Sequence, residues 1–383
     1  MSMRRTLRFL LNPTDEQARI LRDTLEQASA CFNAVCAYGW SCVEKNGVRL
    51  HHATYRDLRD SFPDLPSQLV IASRVKATEA VRSALDRQKK GRKASCPHGT
   101  LVPIRYDART YTFRPDAGVV SLASIAGRQS VAFLPNPHAS RVLAQADGFD
   151  SADLVYRKGR FLFHLVVSLP DVAVAPSGET VGVDMGLNRP AVTSDAKFHG
   201  ARCWKEIDRR YFRLKRALQA KGTRSVKRRL RRLSGKVHRF RRDCDHVLSR
   251  RIVDSAPGGS VIVIENLNHI RTRTKQPGRE SRRRLHSWTF AQLRGFLEYK
   301  AEARGCRVVG VDPRYTSQMC SRCGHVHRSN RQSQSRFKCQ ACGFELNADL
   351  NAARNIKRKH LDGSGKTASA GLPSTRLSRQ SQG

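Results

Sequence analysis

Four cysteines carry the strongest chemical signal in the chain, as Cys320-x-x-Cys323 and Cys339-x-x-Cys342 with fifteen residues between the pairs. Each pair is followed by a glycine, Gly324 and Gly343, which permits the tight knuckle that turns two thiolates onto one ion. Four thiolates at this spacing predict a tetrahedral zinc ribbon, and a site closed by four protein ligands keeps no position for substrate or water, so its zinc is structural. The candidates for catalysis are acidic. Asp184 ends the strand-like run "TVGVD", Glu265 ends the otherwise apolar "VIVIE", and Asp349 opens a helix one turn before Ala352, Ala353 and Ile356, on the face a helix would bury. Taken singly, each is a cap or turn residue. Taken together, three anions brought close repel one another unless divalent cations sit among them, and hard oxygen ligands favour magnesium or manganese. Two such ions activate a water and stabilise the leaving oxygen in phosphodiester cleavage. Asp312, at the end of "VVGVD", is a fourth acid, but Pro313 follows it and favours a turn role. No histidine pair of a zinc hydrolase, no glycine-rich phosphate loop with a following lysine and no serine nucleophile elbow is present.

The elements that must position these groups fall into two halves. The opening "MSMRRTLRFLLNPTDEQ" reads as a short strand ending at a capping box, Thr14 to Gln17. A helix over 14–45 follows, with Leu21, Leu25, Ala28, Phe32 and Val35 along one stripe. A second helix runs from Ser67 to Lys90 and stops at Gly91. Cys31, Cys36 and Cys42 sit at spacings no zinc module uses and are expected in the core. From Leu101 to Leu169 the period changes to two, and "LVPIRYDARTYTF", "RQSVAFLP" and "ADLVYRKGRFLFHLVVSL" read as antiparallel strands, the last a hairpin turning at Lys158-Gly159. These features predict an α+β, multidomain chain, in which a β-barrel over 1–13 and 95–172 is interrupted by a helical lobe over 14–94. "DVAVAPSGE" reads as a linker. In the second half "TVGVDMGLNRPAVTSD" is a strand, a glycine turn and a returning strand, Gly186 leaving room for close approach. "VIVIE" and "CRVVGVDP" are buried strands, and "TFAQLRGFLEYKAEARG" is a helix. The tail over 361–383 is poor in apolar residues and is expected to be disordered.

Charge narrows the partners. The 383 residues hold 71 Lys and Arg against 32 Asp and Glu, a net charge of +39. A field of that sign calls for a polyanion, and nucleic acid is the expected partner. Between Lys205 and Arg251 there are 19 basic and 4 acidic residues. Val226, Leu230, Leu233, Val237, Phe240, Cys244 and Val247 form a helical seam there, with guanidinium groups on the other faces. Arg224, Lys227, Arg228, Arg231, Arg232, Arg239 and Arg242 are the candidate phosphate contacts. No stretch approaches the ~18 apolar residues of a membrane span. The first residues lack a signal-peptide pattern, so the eleven cysteines point to a reducing, cytoplasmic setting.

The ordered motifs "GVDMGLN", "IVIENLN", "YTSQMCSRCG", "CQACGF" and "ADLNAARNI", spanning Val181 to Ile356, closely resemble the TnpB family, the transposon-associated OrfB proteins related to type V CRISPR effectors. The resemblance implies an RNase H-like RuvC nuclease domain over 178–318 and 345–360, split by the zinc ribbon over 319–344. The barrel would be wedge-like, and barrel and helical lobe together would grip a guide RNA from the transposon end and its heteroduplex with target double-stranded DNA. It also implies cutting next to a short flanking motif in a prokaryotic cytoplasm, at the nucleoid. The family's three metal-binding acids fall on Asp184, Glu265 and Asp349, and its zinc ligands on the four cysteines. One position departs from the pattern: Asn347 stands where the family commonly carries an acid, two residues before the catalytic one. The competing readings are a guided DNA-binding repressor that does not cut and a strand-joining transposase.

Overall fold

The computed structural model describes residues 3–171, 176–268, 270 and 278–363. The expected disordered tail beyond Gly363, the start of the interdomain linker at 172–175 and residues 271–277 lie outside the described residues. The chain is α+β and divides into two compact units, residues 1–171 and 172–383.

In the first unit, strand β1 (Met3–Asn12) leads into helices α1 (Asp15–Ser41), α2 (Gly47–Ser61) and α3 (Ser67–Lys89). The Thr14 capping box is formed: Thr14 Oγ1 accepts from Gln17 N and Gln17 Oε1 accepts from Thr14 N. Strands β2 (Ile104–Tyr106), β3 (Tyr111–Arg114), β4 (Val119–Ser124), β5 (Gly127–Phe133), β6 (Gly148–Arg157) and β7 (Arg160–Leu169) follow, with a short helix α4 (Pro137–Leu143) after β5. They form one seven-stranded sheet with β1 at its centre, in the order β2-β6-β7-β1-β5-β4-β3. The sheet curls until it nearly closes: the Tyr111 hydroxyl of β3 donates to Asp150 O of β6 at 2.6 Å, and the Tyr106 hydroxyl of β2 donates to Ala123 O of β4 at 3.0 Å. Phe9, Phe113, Phe133 and Phe163 fill the interior, ring centroids 4.9 to 6.1 Å apart. The hairpin turn falls at Lys158-Gly159, both with positive φ.

Two expectations are corrected. The first helix ends at Ser41, where Cys42 and a left-handed Val43 (φ 53°) break it, and a separate helix α2 begins at the Asn46 cap. Cys31 and Cys36 are buried as expected, but Cys42 is exposed, because it caps the helix end rather than facing the stripe.

The second unit is built on strands β8 (Thr180–Asp184), β9 (Ala191–Thr193), β10 (Phe198–His199), β11 (Val261–Glu265) and β12 (Arg307–Val311), in the order β10-β9-β8-β11-β12. The first three are antiparallel, while β8, β11 and β12 are mutually parallel. Helices α5 (Arg202–Lys221), α6 (Arg224–Ser255), α7 (Arg279–Ser287) and α8 (Phe290–Glu302) connect them. The turn between α5 and α6 uses Gly222 in the left-handed region. One face of the sheet, through Val183, Ile262 and Ile264, packs on Leu248 and Ile252 of α6 and Leu293 and Leu297 of α8. The other is covered by helix α9 (Ala348–Leu361), reached through β13 (Arg336–Lys338) and β14 (Glu345–Asn347). Among the described residues no helix is long and apolar enough to cross a membrane.

Candidate active site

Strand alternation decides which side the acids face. Residues two apart share a face. Val263 of β11 packs with Ile356 of α9, so Glu265 emerges on the α9 side. Gly182 does the same for β8: a Cβ there would come within 2.2 Å of Ala353 O and 2.6 Å of Lys357 N, so only glycine lets the helix backbone rest on the strand. Asp184, two residues on, faces α9 as well. The parallel register, Ile264 opposite Val183, brings Asp184 and Glu265 to neighbouring strand ends. Asp349 lies one turn before Ala353 and is 6% exposed. Gly186 also has the close approach expected of it, a Cβ there lying 3.0 Å from Arg189 O, and it closes the β8–β9 hairpin, its N donating to Arg189 O at 3.2 Å.

Electrostatics report the convergence. Burial, then the charges of Glu265 and Asp349, push the Asp184 carboxyl up to about 8, while Arg331 pulls the other way. Glu265 is raised chiefly by burial, against a hydrogen bond at 2.5 Å from the Thr316 hydroxyl to its Oε1. Asp349 is met by Arg331 Nη2 at 3.2 Å and Arg189 Nε at 3.7 Å. The Asn347 side chain caps α9, accepting from Asp349 N and Leu350 N, so the position that departs from the family pattern fixes the turn bearing Asp349. Asp312 accepts from Arg314 N at 3.1 Å, as a turn residue does. The donor types, three carboxylates on one face with two held toward their neutral forms by burial, are those a hard divalent cation takes, although their oxygens do not all lie within 4.8 Å of one another and Asp349 is engaged by two arginines.

The four cysteine sulfurs, by contrast, lie within 4.8 Å of one another, the one such set of metal-ligating groups among the described residues. Cys320 and Cys342 Sγ are 3.8 Å apart, and Cys323 and Cys339 Sγ 3.6 Å apart. Gly324 and Gly343 have positive φ, and their amides donate to Cys320 O and Cys339 O, forming the two knuckles. An all-sulfur, four-donor set fits zinc.

Ribbon and carboxylates are joined by groups that spacing did not reveal. Asn355 Nδ2 donates to Thr316 O and Met319 O, and Asn351 Nδ2 donates to Met319 O while its Oδ1 accepts from Ser321 N. Both asparagines are fully buried. Their four-residue spacing on an otherwise apolar helix face was a readable signal; Arg331, inside the ribbon, gave none. The seven candidate phosphate contacts on α6 are all exposed, and among the described residues none is in an ion pair, whereas Arg241 of the same helix is held by Asp208. Of the seam, Leu233 is buried and the rest are half-buried.

Residues 164–271 match the family described as "Probable transposase", and residues 290–356 match the Cas12f1-like TNB domain. A CRISPR-associated endodeoxyribonuclease Cas12f1 of Sulfoacidibacillus thermotolerans is 44% identical over 132 residues, which are 34% of this chain and 30% of that protein. The putative RNA-guided DNA endonuclease InsQ of Escherichia coli is 35% identical over 202 residues, 48% of this chain and 49% of that one. The matches therefore span from 30% to 49% of the length of these curated relatives. The cryo-EM structure of a Cas12f1–sgRNA–target DNA complex superposes with a TM-score of 0.64 at 17% identity, over 90% of this chain and 83% of that one, a likeness of fold. In these matched regions the chain is similar to proteins named for the TnpB family and for the type V CRISPR effectors, among them the TnpB-like protein MJ0751 of Methanocaldococcus jannaschii, 34% identical over 130 residues, 34% of this chain and 46% of that one.

Proposed function

We propose that this chain is an RNA-guided DNA endonuclease of a transposable element that hydrolyses double-stranded DNA next to a short flanking motif. The carrying observation is Asp184, whose carboxyl is pushed up to about 8 by burial and by Glu265 and Asp349. That arrangement is costly for a fold and useful to a cation site. Asp184, Glu265 and Asp349 would hold magnesium or manganese, which when bound supplies the Lewis acidity for water activation and leaving-oxygen stabilisation. The Thr316 hydroxyl orients Glu265, and the Asn347 cap fixes the turn that presents Asp349. Arg331 gives Asp349 a counter-charge and offers a guanidinium to phosphate oxygens.

In this reading the second unit is an RNase H-like RuvC domain, 178–318 and 345–360, with zinc held in the ribbon over 319–344. The barrel over 1–13 and 95–172 and the helical lobe over 14–94 grip the guide RNA from the transposon end. Pairing reads the target sequence, while the exposed guanidinium groups of α6 track phosphates. The names of the relatives and the charge of +39 support this assignment.

The test is to purify the protein from cells carrying its flanking DNA, sequence the RNA that accompanies it, and challenge the complex with matched target DNA and magnesium. Cutting should require the RNA, and Asp184→Ala should abolish it while leaving DNA binding nearly unchanged. RNA-dependent binding without cutting by the wild type would instead identify a guided repressor.

A further inference from the structure

Tyr315 combines a left-handed backbone with an exposed aromatic side chain beside the candidate site. Its φ is 61°, a conformation unfavourable to a bulky side chain, and the residue is 59% exposed, so burial offsets little of that strain. The surrounding backbone allows it no relaxation. Tyr315 O accepts from Gln318 N and Met319 N. The next residue, Thr316, is 2% exposed, with its hydroxyl on Glu265 and its carbonyl held by Asn355. On the other side Arg314 N is tied to Asp312. An aromatic ring is thus displayed to solvent from a fixed, strained peptide, one residue from the group that orients a candidate metal-binding carboxylate.

A strained residue kept beside a reactive centre points to use. A rigid exposed ring suits one ligand class well, the face of an unpaired nucleobase, because stacking needs a planar surface held in place and tolerates any base. We propose that Tyr315 is a stacking platform for a base of the single DNA strand entering the carboxylate cluster, adjacent to the phosphate to be cut. The inference rests on the nuclease reading above and adds a positioning residue to it.

Glycine separates this role from a structural one. Tyr315→Gly relieves the left-handed strain and removes the ring, so thermal stability should be unchanged or higher while function falls. The probe is a single-stranded DNA oligonucleotide carrying 2-aminopurine, added in magnesium to the full chain with its co-purified RNA, in an Asp184→Ala background so that it is not cut. Quenching of the 2-aminopurine should occur with Tyr315 and persist in Tyr315→Phe and Tyr315→Trp. It should be lost in Tyr315→Gly and in Tyr315→Leu, which keeps apolar bulk without an aromatic face. Cleavage with Asp184 intact should drop about tenfold in the Gly and Leu variants, the scale of losing one stacked base. Binding and cutting by the wild type with equal quenching in Tyr315→Gly, or full activity in Tyr315→Leu, would overturn the stacking role alone. A wild type that neither binds nor cuts DNA would overturn the nuclease reading, and this inference with it.

Discussion

Asp184, Glu265 and Asp349 show how a single carboxylate can be legible in a sequence while its environment is not. An acid at the end of an apolar strand, or on the buried face of a helix, stands out because burying it alone is costly, and all three were readable on that ground. Arg331, inside the ribbon, and Thr316, just before it, meet two of them from segments whose local pattern is ordinary. The Asp184 environment has a consequence for stability. Its folded pKa of about 8 exceeds the ordinary value of 3.8, so between those limits the folded chain holds a proton that the unfolded chain releases. Metal-free protein should therefore lose stability as pH rises through that window. Asp184→Asn, which removes the buried anion and keeps its shape, should flatten that component and raise the metal-free Tm near pH 8 by about 2–4 °C. Melting curves across pH in a chelator check this, and a variant that melts lower than wild type at pH 8 would count against it. Magnesium should remove most of the difference by stabilising the wild type.

At the scale of elements, hydrophobic period gave α3, α8, the β6–β7 hairpin and the two strands that end in acids. It failed where short-range chemistry overrides period: α2 hides in a polar run, "GVRLHHATYRDLRDS", and is started by the Asn46 cap rather than by an apolar stripe. The junction of ribbon and α9 was likewise invisible as a unit, because it is made by hydrogen bonds between segments distant in sequence. Asn355 supplies both Thr316 O and Met319 O from a fully buried position. Asn355→Ala should strand Thr316 O, leave Met319 O to Asn351 alone, and cost about 1–3 kcal/mol of unfolding free energy. It should also loosen Thr316 and with it Glu265, so cleavage should fall more than guide-dependent binding. Denaturant titration alongside both assays reads this; a variant of wild-type stability would show that water replaces the amide.

For the whole molecule, composition alone pointed to a polyanionic partner, and the structure distributes that charge unevenly. On α6 some arginines are consumed within the fold, as Arg241 is by Asp208, and others stand free at the surface. Periodicity could separate the seam from the charged faces but could not tell which guanidinium groups have acids waiting for them. Replacing Arg224, Arg228, Arg231 and Arg232 with alanine should reduce the slope of log affinity against log salt by about 3 to 4 if all four meet phosphates of a duplex. An unchanged slope, measured by salt titration of DNA binding, would assign that stretch to packing alone. The seating of α9 on Gly182 has one more implication, for the order of events during synthesis. Asp184 and Glu265 leave the ribosome early, on strands of one sheet, but their third companion is carried by a helix that follows the ribbon in the chain and docks directly on the first strand. A nascent or clipped chain that stops short of Ala348 has two of the three carboxylates and an uncovered sheet face, so completion of the cluster is tied to completion of the domain that contains it.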